Sequence, residues 1–364
     1  MHAGYAAKPR CFVGWRPSLV AVRPERASLI ITGMLIYAGV DEAGYGPLFG
    51  PMVVGRFVLA VDGHAADAMP DLWASLEQAV CRDKGQRRGR LVVNDSKKVL
   101  SRKAGEADLS HLERGVLAFL ALAEHDCRDV GRLLDVLGER THRELNAMPW
   151  YAPTDAAAWD ALPSCCTADE IGVACSLLRT TAGKQGVRVV DAGAAIVFED
   201  RFNRMVAATR SKAAVNFTFV TQHLQGIWDR FGRHAPTVIV DRQSGRTYYR
   251  ELLSQVFEHA HLSILEETES CSAYLIDQPA VGRSMTVRFE VESEHRHMPV
   301  ALASMVSKYA RELMMARFAR WFSHRLPEVK PTAGYGSDGK RFWLEVRPHL
   351  ARLGIDPEAL RRQA

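Results

Sequence analysis

The sequence predicts an α/β protein with a mixed central sheet flanked by helices, and three observations carry that prediction. Two apolar runs, 35–40 and about 52–60, flank a turn rich in glycine and proline and read as a hairpin. Farther on, a strand pattern from Val187 to Phe198 is followed by an amphipathic stretch from Ser211 to Phe231 and then by the β-branched run Thr237-Val238-Ile239-Val240-Asp241. Three more strand-like segments, Leu262–Glu267, Ser272–Ile276 and Met285–Val291, precede a helix in which Met305, Tyr309, Met314, Phe318 and Phe322 recur at helical spacing. Core packing explains that stripe without any ligand.

Between these elements the chain reads as follows. Lys84-Gly85-Gln86-Arg87-Arg88-Gly89-Arg90 is a basic loop, either a local attractor of phosphate or a solvated surface turn. Residues 109–147 are helical in pattern, 148–167 are loop-like with Pro149, Pro153 and Pro163, and Asp169–Ala182 returns to helix. Residues 247–258 form a further helical pattern. At 364 residues and 47% hydrophobic content the chain can bury a sizeable core in one large domain, or one domain with an insertion at about 104–186.

The formal charge of +5 suggests a polyanionic partner, but Lys8, Arg10, Arg16, Arg23 and Arg26 against Glu25 supply +4 of it within residues 1–33. The remainder is nearly neutral, so any electrostatic footprint is a local patch. The basic extension 1–33 ends at Met34, a natural start for the domain, and reads as an upstream mis-assigned start or a disordered arm rather than a targeting peptide. The apolar run Leu29 to Val40 is too short and glycine-interrupted to span a membrane. Seven cysteines, odd in number and without zinc-type spacing, read as reduced intracellular thiols, and the expected location is cytoplasmic.

The most informative segment is Gly39-Val40-Asp41-Glu42-Ala43-Gly44-Tyr45-Gly46-Pro47-Leu48-Phe49-Gly50-Pro51. Two adjacent carboxylates leave a buried strand and enter a glycine-rich turn. Burying such charges side by side is costly unless a cation neutralises them, which points to a divalent metal at the strand end. Taken alone, two solvated acids at a strand-to-turn junction would be the blander reading.

Four further segments weigh against it. Val93-Asn94-Asp95-Ser96-Lys97-Lys98-Val99-Leu100 combines polar groups suited to a phosphate backbone with a helix cap at Asp95 or Ser96. The strand 237–241 ends in an acid, and Glu294 leads into a helix with small residues at Ala301, Ala303 and Ser304 that would let it lie close to a sheet. Gly334-Tyr335-Gly336-Ser337 is a turn carrying an aromatic ring. In this order the five segments resemble the signature of the type 2 ribonucleases H, the ribonuclease HII and HIII family, over residues 34 to about 350.

The resemblance implies a ribonuclease H-like fold, an endoribonuclease acting on the RNA strand of RNA/DNA hybrids and extending to single ribonucleotides in DNA, and a pair of Mg²⁺ or Mn²⁺ ions. It implies Asp41, Glu42, Asp241 and Glu294 as catalytic metal ligands. Gly44, Tyr45, Gly46, Ser96, Lys97, Lys308 and Tyr335 are implied as contacts to the nucleic acid. Glu292, Asp277 and Asp338 are alternative sources of an acid, and His295 with His297 make a weak zinc pair.

Two departures separate the chain from ribonuclease HII, where Arg usually stands between the two glycines and Asp is the fourth acid. Here those positions hold Tyr45 and Glu294. The Glu, and the pattern Glu294-x-x-His297-x-x-Val300-Ala301, lean toward ribonuclease HIII, whereas Gly46 to Pro51 leans toward HII. Tyr cannot supply a cationic planar fork to a ribose and its phosphate. Two other readings therefore stand beside the first: a nucleic-acid binder without efficient cleavage, and a nuclease of the same fold acting on another structure.

Overall fold

Strand β1 (Met34–Ala43) and strand β2 (Met52–Asp62) form the expected antiparallel hairpin, in register from Met34 opposite Asp62 to Ala43 opposite Val53. Side chains alternate across a strand, so Leu35, Tyr37, Val53, Phe57 and Leu59 enter one core while Ile36, Ala38, Val40, Val54 and Val58 enter another. Burial on both faces is why these strands read as continuous apolar runs rather than as polar alternation. The computed structural model describes residues 33–64, 69–103, 106–138, 145, 148–153, 159–242 and 246–363. The basic extension lies, up to residue 32, outside the described residues.

Five more strands complete the sheet: β3 (Val187–Val197), β4 (Thr237–Asp241), β5 (His261–Glu267), β6 (Cys271–Gln278) and β7 (Arg283–Glu290). Their spatial order is β3-β2-β1-β4-β7-β6-β5. The centre is parallel, β4 lying between β1 and β7, and both margins are antiparallel. The protein is thus a mixed α/β fold with a seven-stranded sheet flanked by helices, as the sequence predicts.

Helix α1 (Ser96–Val99) opens on Asp95, whose carboxylate accepts the Lys97 N–H at 3.0 Å. The helical pattern of 109–147 is not one helix: α2 (Ser110–Leu122) ends before Glu124, which takes a left-handed φ of 61°, and α3 (Val130–Val136) starts afresh on the Asp129 cap. A new cap is the physical reason that continuous periodicity splits into two rods. The segments 139–144 and 146–147 of that expectation lie outside the described residues. Helix α4 (Ala168–Lys184) begins with a reciprocal capping box between Thr167 and Glu170.

Helices α5 (Glu199–Thr209) and α6 (Lys212–Phe231) follow β3, and α6 packs Val215, Phe219, Leu224 and Ile227 on one face of the sheet. After the short α7 (Arg250–Val256), helix α8 (Met298–Arg325) covers the other face and is buried on almost every side. Its polar residues are buried with the apolar ones, and Ser304, Ser307, Lys308, Arg311 and Arg317 all find partners inside the fold. The helix sits directly on glycines: a Cβ on Gly39 would fall 2.2 Å from the Pro299 carbonyl carbon, and one on Gly55 2.8 Å from the Ala303 oxygen. The small residues Ala301, Ala303 and Ser304 complete this close approach, and α9 (Gly336–Val346) follows.

No helix among the described residues is long and apolar enough to cross a membrane. Cys81, Cys127, Cys165, Cys166, Cys175 and Cys271 are free thiols.

Candidate metal centre at the carboxyl ends of the central strands

Parallel pairing brings the acids together. Val40 pairs with Val240 and Asp241 with Glu290, so β1, β4 and β7 end side by side. Asp41 and Asp241 stand one step past the Val40–Val240 pair, on strands about 4.8 Å apart. By alternation these two acids share the α8 face of the sheet while Glu42 turns toward α6. The Ser304 hydroxyl on α8 lies close enough to Asp41 to pull its pKa down, and the Asn216 amide on α6 does the same for Glu42.

The fourth acid arrives on a turn that Asp241 itself anchors. One Asp241 oxygen accepts the Ser293 N–H at 3.1 Å and its hydroxyl at 3.0 Å, and Ser293 opens the 3₁₀ turn that carries Glu294. Of the alternative acids, Glu292 is exposed in a left-handed conformation. Asp277 lies at the opposite end of the sheet, and Asp338 is held by Thr332, the Ala333 N–H and Arg341.

Electrostatics show the strain of this gathering. Burial, and then the charges of Glu42 and Asp241, push the Asp41 carboxyl well above its ordinary range. Burial also raises Glu42, with Asn216 and Lys97 pulling back and Glu294 adding to the rise. Asp241 is pushed up to about 7, by burial first and by Glu294 next, against the two Ser293 bonds. One Glu294 oxygen, Oε2, is buried with no hydrogen-bond partner.

Among the described residues no three His, Cys, Asp or Glu side chains close to metal-binding separation. Carboxylates that repel one another stand apart until a cation draws them in. An orphaned, buried carboxylate oxygen beside three mutually repelling acids is nonetheless a donor set that fits a hard divalent cation, whose ligands are oxygens.

The remaining expected residues divide. Gly44, with a left-handed φ of +80°, turns the chain out of β1, and a Cβ there would lie 2.4 Å from the Arg311 Nε. Tyr45 is half-buried near Glu42, Gly46 is exposed, and Lys97 is exposed beside Glu42. Tyr335 is also exposed, its ring 5.3 Å from the Arg311 guanidinium. Ser96 and Lys308 do not reach the surface. Ser96 is buried against Ser304, whose hydroxyl donates to it at 3.0 Å, and the buried Lys308 pairs with Glu312 at 2.6 Å. Serving the acids from behind, through Ser304, is what the structure gives Ser96.

The two histidines are not a pair of ligands. His297 lies between the Tyr37 hydroxyl and Glu290, and His295 faces Lys98 at 3.2 Å. In the basic loop, Lys84 donates to Ser101, and Arg90 to the carbonyls of Glu77 and Gln86, so both act within the fold. Sequence reasoning missed Ser293, Asn216, Arg311 and Arg362. Only Ser304 and Ser307, three residues apart on one helix, left a readable signal; Ser307 donates to the Asp41 carbonyl at 3.1 Å.

Beneath the acids, Glu290 gathers Arg288 at 2.7 Å, Arg296 at 2.8 Å and His297 at 3.0 Å. Burial alone would raise its carboxyl, but these partners hold it down to about 2. A depressed carboxylate stabilises above its unfolded value, near 4.3, and loses that contribution as pH falls through the folded value. Acid unfolding of the parent is therefore expected to steepen between pH ~4.3 and ~2, with roughly 3 kcal/mol at stake. Glu290→Gln should flatten that limb in circular dichroism melts; an unchanged limb would remove Glu290 from the account.

Fold and centre together define a mixed α/β protein with a group of mutually repelling carboxylates at the carboxyl edge of its parallel strands. No protein-family model matches the chain, and no curated protein matches it. Among solved structures it is similar to ribonuclease HII in complex with PCNA from Archaeoglobus fulgidus, at 15% identity over 91% of this chain and 98% of that one, with a TM-score of 0.38. It is similar to Bst ribonuclease HIII in complex with Mn²⁺ at 14% identity, covering 91% of this chain and 66% of that one, TM-score 0.43. Ribonuclease H2 from Pyrococcus horikoshii OT3 is similar at 14% identity over 90% and 92%, TM-score 0.35.

Proposed function

We propose that the protein is a metal-dependent endoribonuclease of the type 2 ribonuclease H kind, cleaving the RNA strand of RNA/DNA hybrids and extending to single ribonucleotides within DNA. One observation carries the reading: the parallel register that sets Asp41 beside Asp241, within electrostatic reach of Glu42 and of a Glu294 that has one buried oxygen without a partner. A protein that only bound nucleic acid would gain nothing from such repulsion facing a polyanion.

Asp41, Glu42, Asp241 and Glu294 would hold Mg²⁺ or Mn²⁺, ions suited to hard carboxylate oxygens. When bound, such ions activate a water and stabilise the leaving oxygen of a phosphodiester. The chain's own residues set the geometry. Ser293 fixes the inner oxygen of Asp241, Ser304 sits close to Asp41, and Lys97 offers a cation to an incoming phosphate while partly balancing Glu42. Tyr335 presents an exposed ring for the sugar and base.

Tyr45, with no cationic fork, favours the second reading that the centre acts on a nucleic acid other than a hybrid. Incubating the full chain with a labelled RNA/DNA hybrid, a duplex with one ribonucleotide, and all-DNA controls, each with Mg²⁺ or Mn²⁺, separates the cases. Cutting at ribonucleotides supports the first reading, cutting of DNA alone the second, and binding without cleavage defeats both. Tyr335→Ala is expected to weaken hybrid binding by about tenfold, the scale of one lost stacking contact, while the Mn²⁺-induced rise in melting temperature persists. Fluorescence anisotropy checks this, and an unaltered affinity would take Tyr335 out of the interface.

A further inference from the structure

The loop Gly44–Gly50 is held from beneath by three charged side chains. Glu199 accepts the Gly50 N–H at 2.8 Å, Arg311 donates to the Phe49 carbonyl at 3.0 Å, and Arg362 takes the rest of the loop. The Arg362 guanidinium donates to the carbonyls of Gly44 at 2.7 Å, of Pro47 at 2.9 Å and, more weakly, of Tyr45 at 3.5 Å. Its backbone N–H donates to the Leu48 carbonyl at 2.8 Å.

Arg362 is 2% exposed, and its approach is fixed by Asn203 on α5, which bonds the carbonyls of Glu358 and Arg361 and the N–H of Gln363. Burial beside Arg311 lowers its pKa to about 10, so its placement is costly; the loop carbonyls, the nearby Glu199 charge and the Phe202 ring 4.6 Å away offset it in part. Arginine meeting carbonyls rather than a bonded carboxylate is an expensive way merely to fill space.

A trans peptide points its carbonyl and the following N–H in opposite directions. With the carbonyls of Gly44 and Tyr45 drawn inward to Arg362, the N–H groups of Tyr45 and Gly46 face outward. Neither has a hydrogen-bond partner among the described residues. Gly46 itself is exposed, and a Cβ there would meet nothing within 4 Å. Both amides lie a few residues past Asp41 and Glu42, and the Tyr45 side chain is within electrostatic reach of Glu42.

We propose that Arg362 is a positioning residue that aims the Tyr45 and Gly46 amides at the substrate, so that backbone donors read the ribose hydroxyl and its phosphate where residue 45 has no cation to offer. This rests on the ribonucleotide-directed reading above. What it adds is the control of the Gly44–Gly46 turn by a side chain more than 300 positions away.

The test measures affinity of the full chain for labelled duplexes, one with a single ribonucleotide and one all-DNA, with Ca²⁺ replacing Mg²⁺. Arg362→Ala is expected to cut the preference for the ribonucleotide by about tenfold, the worth of a hydrogen bond or two, with all-DNA affinity held within about twofold. The Mn²⁺-induced rise in melting temperature should persist, and millimolar guanidinium should restore part of the preference. Arg362→Lys should fall between parent and Ala, because one ammonium cannot span three carbonyls; it carries the test if Arg362→Ala does not fold. An unchanged preference in either folded variant overturns the assignment and leaves the proposed hydrolysis standing. A parent with no preference for a ribonucleotide overturns the assignment as well, while the proposed hydrolysis falls only if the hybrid and the single-ribonucleotide duplex go uncut in Mg²⁺ or Mn²⁺.

Discussion

Asp241→Asn, made in the full chain, is expected to lose at least about a thousandfold in hybrid cleavage, because metal-borne charge stabilisation in such reactions amounts to several kcal/mol. The same variant should melt higher than its parent when no divalent cation is present. Asp241 sits among Asp41, Glu42 and Glu294 with its carboxyl raised, so its ionised form is disfavoured in the folded state. The sign is that of a raised acid: the metal-free parent gains stability as pH falls from about 7 toward the unfolded value near 3.9. Asparagine keeps an oxygen for both Ser293 bonds and removes the charge, for a gain of about 1–2 kcal/mol. Mn²⁺ should then raise the parent's melting temperature by mass action and leave the variant's almost unmoved. Differential scanning calorimetry with and without Mn²⁺, beside the cleavage assay, reads both effects. A variant that cleaves at the parental rate would end the proposed role of Asp241.

Gly39→Val is expected to be the most damaging single change to the fold, costing about 3 kcal/mol or more. A Cβ at this position meets the carbonyl carbon and oxygen of Pro299 and the N of Val300 at 2.2, 2.4 and 2.2 Å, all backbone atoms of α8. Backbone cannot rotate aside as a flexible side chain can, so the helix must lift from β1, and Ser304 must leave Asp41 with it. Gly46→Ala is the matched control: its Cβ meets nothing within 4 Å, and its stability should change by no more than about 0.5 kcal/mol. Urea denaturation of both variants measures the contrast. Equal stabilities would contradict the seating of α8 on β1.

The centre of the sheet was legible because β1, β2 and β4 are buried on both faces and read as apolar runs bounded by glycine, proline and polar turns. β1, β2, β3 and β4 all lie where periodicity places them. The acids were legible in kind but not in arrangement. Nothing in the order of Asp41 and Asp241 says that their strands are parallel neighbours; β4 takes its place beside β1 only after α4, β3, α5 and α6 have carried the chain across. Ser96 and Lys308 were expected as contacts to the nucleic acid because the family resemblance implies them, and nothing in their motifs tells which way the side chains turn. The structure turns both inward, where a hydroxyl and a carboxylate satisfy them. Arg362 was unreadable for a different reason. An arginine in the sequence Leu360-Arg361-Arg362-Gln363 looks like solvated charge, and only the fold reveals three loop carbonyls waiting for it.

The central claim is that the four acids share divalent cations. Crystals of the full chain soaked in Mn²⁺ and measured at the manganese absorption edge test it most directly. The account predicts an anomalous peak within about 2–2.5 Å of carboxylate oxygens from both Asp41 and Asp241, with Glu42 and Glu294 drawn toward it. Manganese peaks found only elsewhere on the surface, at saturating Mn²⁺, would contradict it.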